Sequence, residues 1–264
     1  MNIDLHLFEE ICQTPGAPGF ENRIRNVILR EIASLVDEYH VDTMGNMIAL
    51  KKGREDKNVM AAAHMDEISF IVKHIDDNGF IKFQTLGGFD PKTLTAQKVI
   101  VHGTEDLIGV MGTKPVHVMT DEEKKKLPKI KDYFIDVGLP KEEVEKYVSI
   151  GDPVTRKGEL VQLGNNLSCK SIDNRASVYT LIETLKNLKD QTIPYNFYAV
   201  FSVQEEVGLR GATVAAHQIN PQFGIAIDTT IAFDTPGASS QEMITKLGNG
   251  AAIKVMDSAT ICDQ

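Results

Sequence analysis

Imidazole and carboxylate side chains stand directly after three apolar segments of the sequence, at the point where each segment ends. These are His64 and Asp66 after residues 59–63, Glu205 and Glu206 after residues 197–203, and Asp228 after residues 223–227. Short apolar runs of this kind predict buried strands. Because ligands bind beyond the carboxyl ends of the strands in open α/β sheets, we expect these side chains to line one crevice.

Such a group of side chains is suited to binding divalent metal ions. Several carboxylates held at one buried edge repel one another, and a divalent cation removes that repulsion. Asp173, in the segment SIDNRAS just ahead of a predicted helix, would add another carboxylate at the same edge. Imidazole and carboxylate ligands favour Zn²⁺, Co²⁺ or Mn²⁺ over ions that prefer thiolates. We expect two ions, with Zn²⁺ first and Co²⁺ or Mn²⁺ as alternatives.

Asp66 and Glu205 are expected to act beside the metal ligands rather than as ligands. Alternate residues of an extended chain point to the same side, so Asp66 can accept a hydrogen bond from one ring nitrogen of His64 and leave the other for metal. Of the two adjacent glutamates, we expect Glu206 to be a ligand and Glu205 to take a proton from water and pass it to a leaving amine. Taken singly, each residue also fits a polar strand end, a helix N-cap or a solvated carboxylate, and only their joint occurrence favours a site.

The elements that must position these residues alternate between helices and strands at both ends of the sequence. Apolar residues recur at helical spacing in residues 5–13, 21–35 and 173–189, and a further helix is predicted from Gly208 to about His217. Two strands are predicted on either side of a tight turn at residues 44–46. These patterns indicate an α/β fold with an open, mostly parallel sheet and helices on both faces.

The middle of the sequence has a different character. Residues 68–164 consist of short strand-like segments and many turns, interrupted by one helical stretch predicted from Thr120 to Lys131. We therefore expect a discontinuous catalytic domain, residues 1–67 and 165–264, with a small β-rich domain, residues 68–164, inserted between its two parts.

Composition narrows the classes of function. The chain has 264 residues, of which 42% are hydrophobic, and a net charge of -9, which argues against a nucleic-acid partner. Its three cysteines show no CxxC spacing, so free thiols are expected. The start of the sequence lacks the basic and apolar regions of a signal peptide, and no apolar stretch is long enough to span a bilayer. We expect a cytoplasmic protein without a membrane partner.

Four separated motifs, in this order, resemble those of the M42 family of dinuclear metallo-aminopeptidases. They are AAHMDEISF, SIDNRAS, SVQEEVGLRGA and AIDTT, with a β-rich segment between the first two. TPGAPGFE near the start and IGVMGTKPVH in the middle are also similar to that family, which includes glutamyl and tetrahedral aminopeptidases. The resemblance covers the whole chain.

The resemblance implies a role for each site residue. His64 and Asp228 would hold one metal ion, Glu206 the other, and Asp173 would bridge both. The reaction would be hydrolysis of the N-terminal residue from short peptides with a free N-terminus, by a metal-activated water on a dinuclear site, with Glu205 as general base and acid. The inserted domain would be PDZ-like and would mediate dimerisation, and the homo-oligomer would be a dimer or a dodecamer.

The resemblance also implies a fifth ligand, a histidine well downstream of Asp228. The last histidine of this sequence is His217, on a predicted helix, so the expected ligand is not among these residues. On this ground we expect the chain to be shorter at its C-terminus than members of the family, and one ion to lack its imidazole ligand.

Two other functions fit the same residues. A related co-catalytic metallohydrolase, such as a deacylase or another amidohydrolase, would use a similar set of ligands. An inactive, shortened form would act only as a metal-binding or assembly module. Glycan hydrolysis by two carboxylates would leave His64 and Asp173 without a role.

Overall fold

The computed structural model describes residues 3–257 and 260–263. The α helices are α1 Leu5–Gln13, α2 Asn22–Ile32, α3 Asp121–Lys124, α4 Lys141–Tyr147, α5 Ile172–Leu188 and α6 Arg210–Ile219. The strands are β1 Glu38–Val41, β2 Met47–Lys51, β3 Glu55–His64, β4 Ser69–Ile75, β5 Ile81–Leu86, β6 Lys98–His102, β7 Asp106–Gly112, β8 Phe134–Asp136, β9 Pro153–Arg156, β10 Val161–Leu163, β11 Asn166–Ser168, β12 Tyr195–Ser202 and β13 Phe223–Ala226.

Five of these strands form an open sheet in the order β1–β2–β12–β3–β13. β3 runs parallel to β12 and β13, whereas β2 pairs antiparallel with both β1 and β12. The sheet is thus mixed, which differs from the mostly parallel sheet predicted from the sequence. The difference arises because the tight turn after β1 reverses the chain and makes β1 and β2 an antiparallel hairpin.

The turn of this hairpin was correctly predicted, and its residues show why it forms. Asp42 accepts hydrogen bonds through Oδ1 from the backbone N–H groups of Met44, Gly45 and Asn46, each at 2.9 Å. Gly45 has a φ of +102°, a conformation that costs glycine little and other residues much. The turn places Asn46 in a fully buried position immediately before β2.

Helices cover both faces of the sheet, as predicted. On one face, α1, α2 and α5 pack on alternate residues of the central strands, among them Ala61, Ala63 and Phe201. On the other face, the intervening residues Met60 and Val200 pack against α6. The central strands are therefore apolar on both sides, as expected for strands sandwiched between helix layers.

The strands β4 to β9 form a separate closed barrel in the order β4–β5–β8–β7–β6–β9, with every pairing antiparallel. A second apolar core, which includes Phe70, Val99 and Ile135, fills it. The barrel confirms that this segment is rich in β structure, whereas its description as PDZ-like stays a prediction.

The helical stretch predicted from Thr120 to Lys131 is wrong in extent. Only Asp121–Lys124 is α-helical, capped by the side chain of Thr120, which accepts a hydrogen bond from the backbone N–H of Glu123. Pro128 disfavours the helical conformation of the residue before it, so the helix cannot continue through this point. The helix α4 was not predicted.

The described residues of the segment 229–264 form a second compact unit. Within its described part, turns predominate, and the only pairing of extended backbone is an isolated bridge between Met256 and Ile261. No helix in the described part of the chain combines the length and the apolar character that crossing a membrane requires.

Candidate metal centre

His64 lies at the end of the central strand β3, between β12 and β13. Its side chain is only 3% exposed. The small residues before it in β3, Ala61 to Ala63, let helices pack closely on both faces of the strand. The strand thus delivers an imidazole to the carboxyl edge of the sheet with little freedom to move.

Carboxylates cluster around one ring nitrogen of this imidazole. From His64 Nε2, the nearest oxygens of Asp173, Glu205 and Asp228 lie at 3.2, 3.7 and 3.9 Å. Glu206 completes the group, which we call the His64 cluster: His64, Asp173, Glu205, Glu206 and Asp228. The possible ligand atoms form two sets, His64 with Glu205 and Asp228, and His64 with Asp173 and Glu206. Within each set, all ligand atoms lie within 4.8 Å of one another.

Asp66 lies behind the cluster and is fully buried. Its two carboxylate oxygens accept hydrogen bonds from the backbone N–H groups of Glu205 and Glu206, at 3.0 and 3.1 Å. His64 Nδ1 lies 3.2 Å from the backbone oxygen of Asp66 and 3.4 Å from Oδ1 of its carboxylate. One carboxylate therefore holds the main chain of both glutamates and also borders the imidazole.

The side chains of Asn46 and Glu21 also anchor the loop after β12. Asn46 accepts a hydrogen bond from the backbone N–H of Val203 at 3.0 Å and donates one to the backbone oxygen of Gly211 at 3.0 Å. The buried carboxylate of Glu21 accepts a further bond from the backbone N–H of Gln204 at 3.3 Å. A Cβ at Gly211 would lie 2.3 Å from Asn46 Oδ1, so only glycine permits this approach.

Two side chains tie the segment of Asp173 to its surroundings. Asn174 donates a hydrogen bond from Nδ2 to the backbone oxygen of Ile227 at 3.0 Å, which joins the start of α5 to the residue before Asp228. Ser171, with a φ of +60°, turns the chain into α5 and donates its hydroxyl proton to Glu67. A cis peptide bond joins Asp173 to Asn174.

Glu67 is the centre of a buried charge network that sequence reasoning missed. Lys170 donates to both of its carboxylate oxygens, at 2.7 and 2.8 Å, and Arg175 lies 3.8 Å away. We call these residues, with Ser171, the Glu67 network. Burial alone raises the pKa of Glu67, but Lys170 and Arg175 outweigh it and leave the pKa below its ordinary value. The basic residues on either side of Asp173 in the sequence were the signal that could have revealed this network.

The His64 cluster has the opposite charge balance. Burial lowers the pKa of His64, but Asp173 and Asp66 outweigh it and raise that pKa to about 10. Burial and the neighbouring carboxylates raise the pKa of Glu206 to about 7, and burial also raises that of Glu205. These directions show too much negative charge for one imidazole. The donor set therefore fits divalent cations, which would supply the missing positive charge.

The structure thus brings together all six residues that the sequence analysis selected. Asp66 borders the cluster, and the other five compose it. The two sets of candidate ligands place Glu205 with His64 and Asp228, whereas the resemblance assigned Glu205 to proton transfer. The division of roles between the two glutamates, and the bridging role of Asp173, stay predictions.

Comparison with known proteins identifies the family. The sequence model of the M42 glutamyl aminopeptidase family matches residues 45–264. A relative from Acetivibrio thermocellus is 42% identical over 257 residues, which cover 97% of this chain and 74% of that protein. The chain therefore belongs to the M42 family and is a peptide hydrolase of the aminopeptidase type.

Two further relatives agree with this assignment. The lysyl aminopeptidase of Pyrococcus furiosus is 35% identical over 263 residues, covering 96% of this chain and 73% of that protein. The TET1 peptidase of Pyrococcus horikoshii, described as assembling into a tetrahedron or a large octahedral shell, matches with a TM-score of 0.79 and 34% identity, over 89% of this chain and 72% of that one. The α/β fold is thus shared with these peptidases.

Proposed function

We propose that this protein removes the N-terminal residue from short peptides at a dinuclear metal site. His64, Asp173, Glu206 and Asp228 would hold the two ions. The observation that carries the proposal is the pair of candidate ligand sets that share one buried imidazole. A single imidazole among four carboxylates is poorly compensated by protein groups alone, and two divalent cations would balance it.

Such ions would supply Lewis-acid chemistry, by activating water and polarising the scissile carbonyl. The protein's own residues would perform the remaining tasks. Glu205 would accept a proton from the attacking water and deliver it to the leaving amine; its raised pKa suits a group that must both take up and release a proton. Asp66 would hold the imidazole of His64 and the main chain of Glu205 in place.

We propose that residues 1–67 and 165–264 form the catalytic domain and residues 68–164 an inserted domain. The inserted domain, which contains the barrel, would mediate assembly into a homo-oligomer. The assembly of the similar TET1 peptidase supports a homo-oligomer for this chain as well. Zn²⁺ is the proposed native ion, because imidazole and carboxylate ligands suit it, with Co²⁺ and Mn²⁺ as alternatives. A cytoplasmic location stays a prediction.

Metal content and substrate choice together test the proposal. We expect elemental analysis after dialysis against trace Zn²⁺ to find two ions per chain. We also expect the loaded protein to hydrolyse leucine p-nitroanilide but not its N-acetylated form, because an aminopeptidase requires the free amine. Hydrolysis of the acetylated form instead would indicate a deacylase or another amidohydrolase. Two ions without hydrolysis of either compound would contradict the proposed activity.

A further inference from the structure

A cavity of about 390 Å³ opens directly beside the His64 cluster. Asp173 and Glu206 line it on the side of the candidate metal ligands, and Arg156 lines it together with the apolar side chains of Ile68 and Ile172. Its volume lies within the range of pockets that take small ligands. The cavity therefore adjoins the reacting centre and has room for part of a substrate.

Arg156, the basic side chain in the lining of this cavity, forms no ion pair with an acidic side chain among the described residues. It is the last residue of β9, in the barrel, where Val99 pairs with it. Its Nε is buried and has no hydrogen-bond partner, and no ion pair of Arg156 occurs within 4 Å in the described part of the chain. Its guanidinium lies 5.9 Å from the ring centre of Phe89.

The other charged residues near the cavity do not neutralise Arg156. Lys170 directly precedes residues 171–173, which line the cavity, but its ammonium group already donates hydrogen bonds to both carboxylate oxygens of Glu67. Asp173 and Glu206 share the cavity with Arg156, yet neither forms an ion pair with it. Arg156 thus offers a planar set of donors to a molecule that enters the cavity.

We propose that Arg156 forms a carboxylate-binding subsite of the aminopeptidase, beside the His64 cluster. Its partner would be a substrate carboxylate, either the side chain of an acidic N-terminal residue or the terminal carboxylate of a dipeptide. This inference rests on the proposed function, because it concerns the substrate of the same site. A guanidinium binds a carboxylate through two parallel N–H···O bonds, which makes the contact both strong and directional.

Paired substrates distinguish the two sources of the carboxylate. In one pair, glutamate p-nitroanilide is compared with glutamine p-nitroanilide; in the other, Leu-Gly is compared with Leu-Gly amide. We expect the metal-loaded protein to prefer the carboxylate member of one pair in kcat/KM by about 10- to 100-fold, as for a hydrogen bond to a charged group. The pair that shows the preference names the source.

The variant Arg156→Met should abolish that preference, mainly through KM for the carboxylate substrate. Arg156→Lys should retain part of it, because an ammonium keeps the charge but not the fork of donors. Lys157→Met is the matched control: it removes an exposed positive charge from the next residue and should leave the ratio unchanged. No preference in either pair, or a preference that survives in Arg156→Met, would overturn the inference.

A binding measurement separates this inference from the proposed function. If the loaded protein hydrolyses none of the four substrates, the proposed activity fails, and titration calorimetry with the same four compounds still tests Arg156. Tighter binding of a carboxylate member, lost in Arg156→Met, would support the subsite without turnover. Equal binding of both members of each pair would refute it.

Discussion

Asp66 and Glu67 are adjacent residues, yet they lead into two regions with opposite electrostatics. Glu67 is surrounded by Lys170, Arg175 and Ser171, so its charge is compensated inside the protein. Asp66 leads to the His64 cluster, where carboxylates outnumber the one imidazole. A buried carboxylate that is paired with basic side chains of the protein, such as Glu67, has a structural role. A group of carboxylates without such partners is instead a candidate site for binding cations from outside the protein.

The largest effect is expected for the His64 cluster. Glu205→Gln keeps the shape of the side chain but removes its ability to take up a proton, so kcat should fall by about 10²–10⁴-fold. Metal content should stay at the wild-type level, as measured by elemental analysis. Glu206→Gln is the matched comparison and should lose metal. If Glu205→Gln lost metal and kept activity, the roles of the two glutamates would be reversed.

In the Glu67 network, Lys170→Met should leave the buried carboxylate of Glu67 with Arg175, 3.8 Å away, as its remaining cation. We expect a loss of about 3–5 kcal/mol in the free energy of unfolding, as for other broken buried pairs. Urea denaturation measures it. Lys146→Met breaks an exposed pair with Glu143 and should cost less than about 1 kcal/mol.

The double variant Glu67→Gln with Lys170→Met checks the physical reason for that loss. It removes the carboxylate that Lys170→Met leaves poorly paired, but it also deprives the buried guanidinium of Arg175 of that carboxylate, so it should recover little of the stability that Lys170→Met loses. Recovery of most of that stability would show that the poorly paired carboxylate of Glu67, rather than its charge balance with Arg175, causes the loss.

An effect of intermediate size is expected for Asp66→Asn, because Asp66 holds the main chain of Glu205 and Glu206. The amide keeps one acceptor oxygen but replaces the other by a donor, so one backbone N–H of Glu205 or Glu206 loses its partner. We expect metal affinity to weaken by about 10–100-fold, measured by competition with a chelator. Asp76→Asn, in a turn of the barrel, is the control and should leave metal affinity unchanged.

The smallest effect is expected at the exposed pair between Arg23 and Asp106. The pKa of Asp106 is lowered from an ordinary 3.8 to about 2, chiefly by the hydrogen bond that its carboxylate accepts from Arg23. A lowered carboxyl pKa contributes stability above the unfolded value, and this contribution disappears as the pH falls from about 4 to about 2. Because both side chains are exposed by more than a third, less than about 1 kcal/mol is at stake.

Asp106→Asn should therefore be slightly less stable than the wild type at pH 7, and the difference should shrink towards pH 2. Urea denaturation of both proteins across this range measures it. A difference that stayed constant with pH would show that the charge of Asp106 is not its source.

The parts of this structure that the sequence predicted are those with local signals. Apolar runs ending at His64, Glu205 and Asp228 predicted strand ends, and parallel strands bring their carboxyl ends to one edge. The spacing of apolar residues predicted α1 and α5 in the same way. These signals require only neighbours along the chain.

The parts that the sequence did not predict depend on distant pairing. The antiparallel place of β2 beside β12 depends on pairing between residues 47–51 and residues 197–201, and nothing within residues 47–51 reveals it. Arg156 meets the cavity only because β9 closes the barrel next to the segment of Asp173. Lys170 and Glu67 are 103 positions apart, so their pairing has no local pattern.

The two hydrogen bonds that Asp66 accepts from the main chain of the glutamates bear on what removal of metal should do to the protein. Those bonds, with the anchors from Asn46 and Glu21, shape the loop through contacts among the protein's own groups. Chelation should therefore empty the centre without unfolding the chain, and circular dichroism of the stripped protein should match that of the loaded one. A peptidase built in this way should regain its activity when metal is returned to the stripped protein.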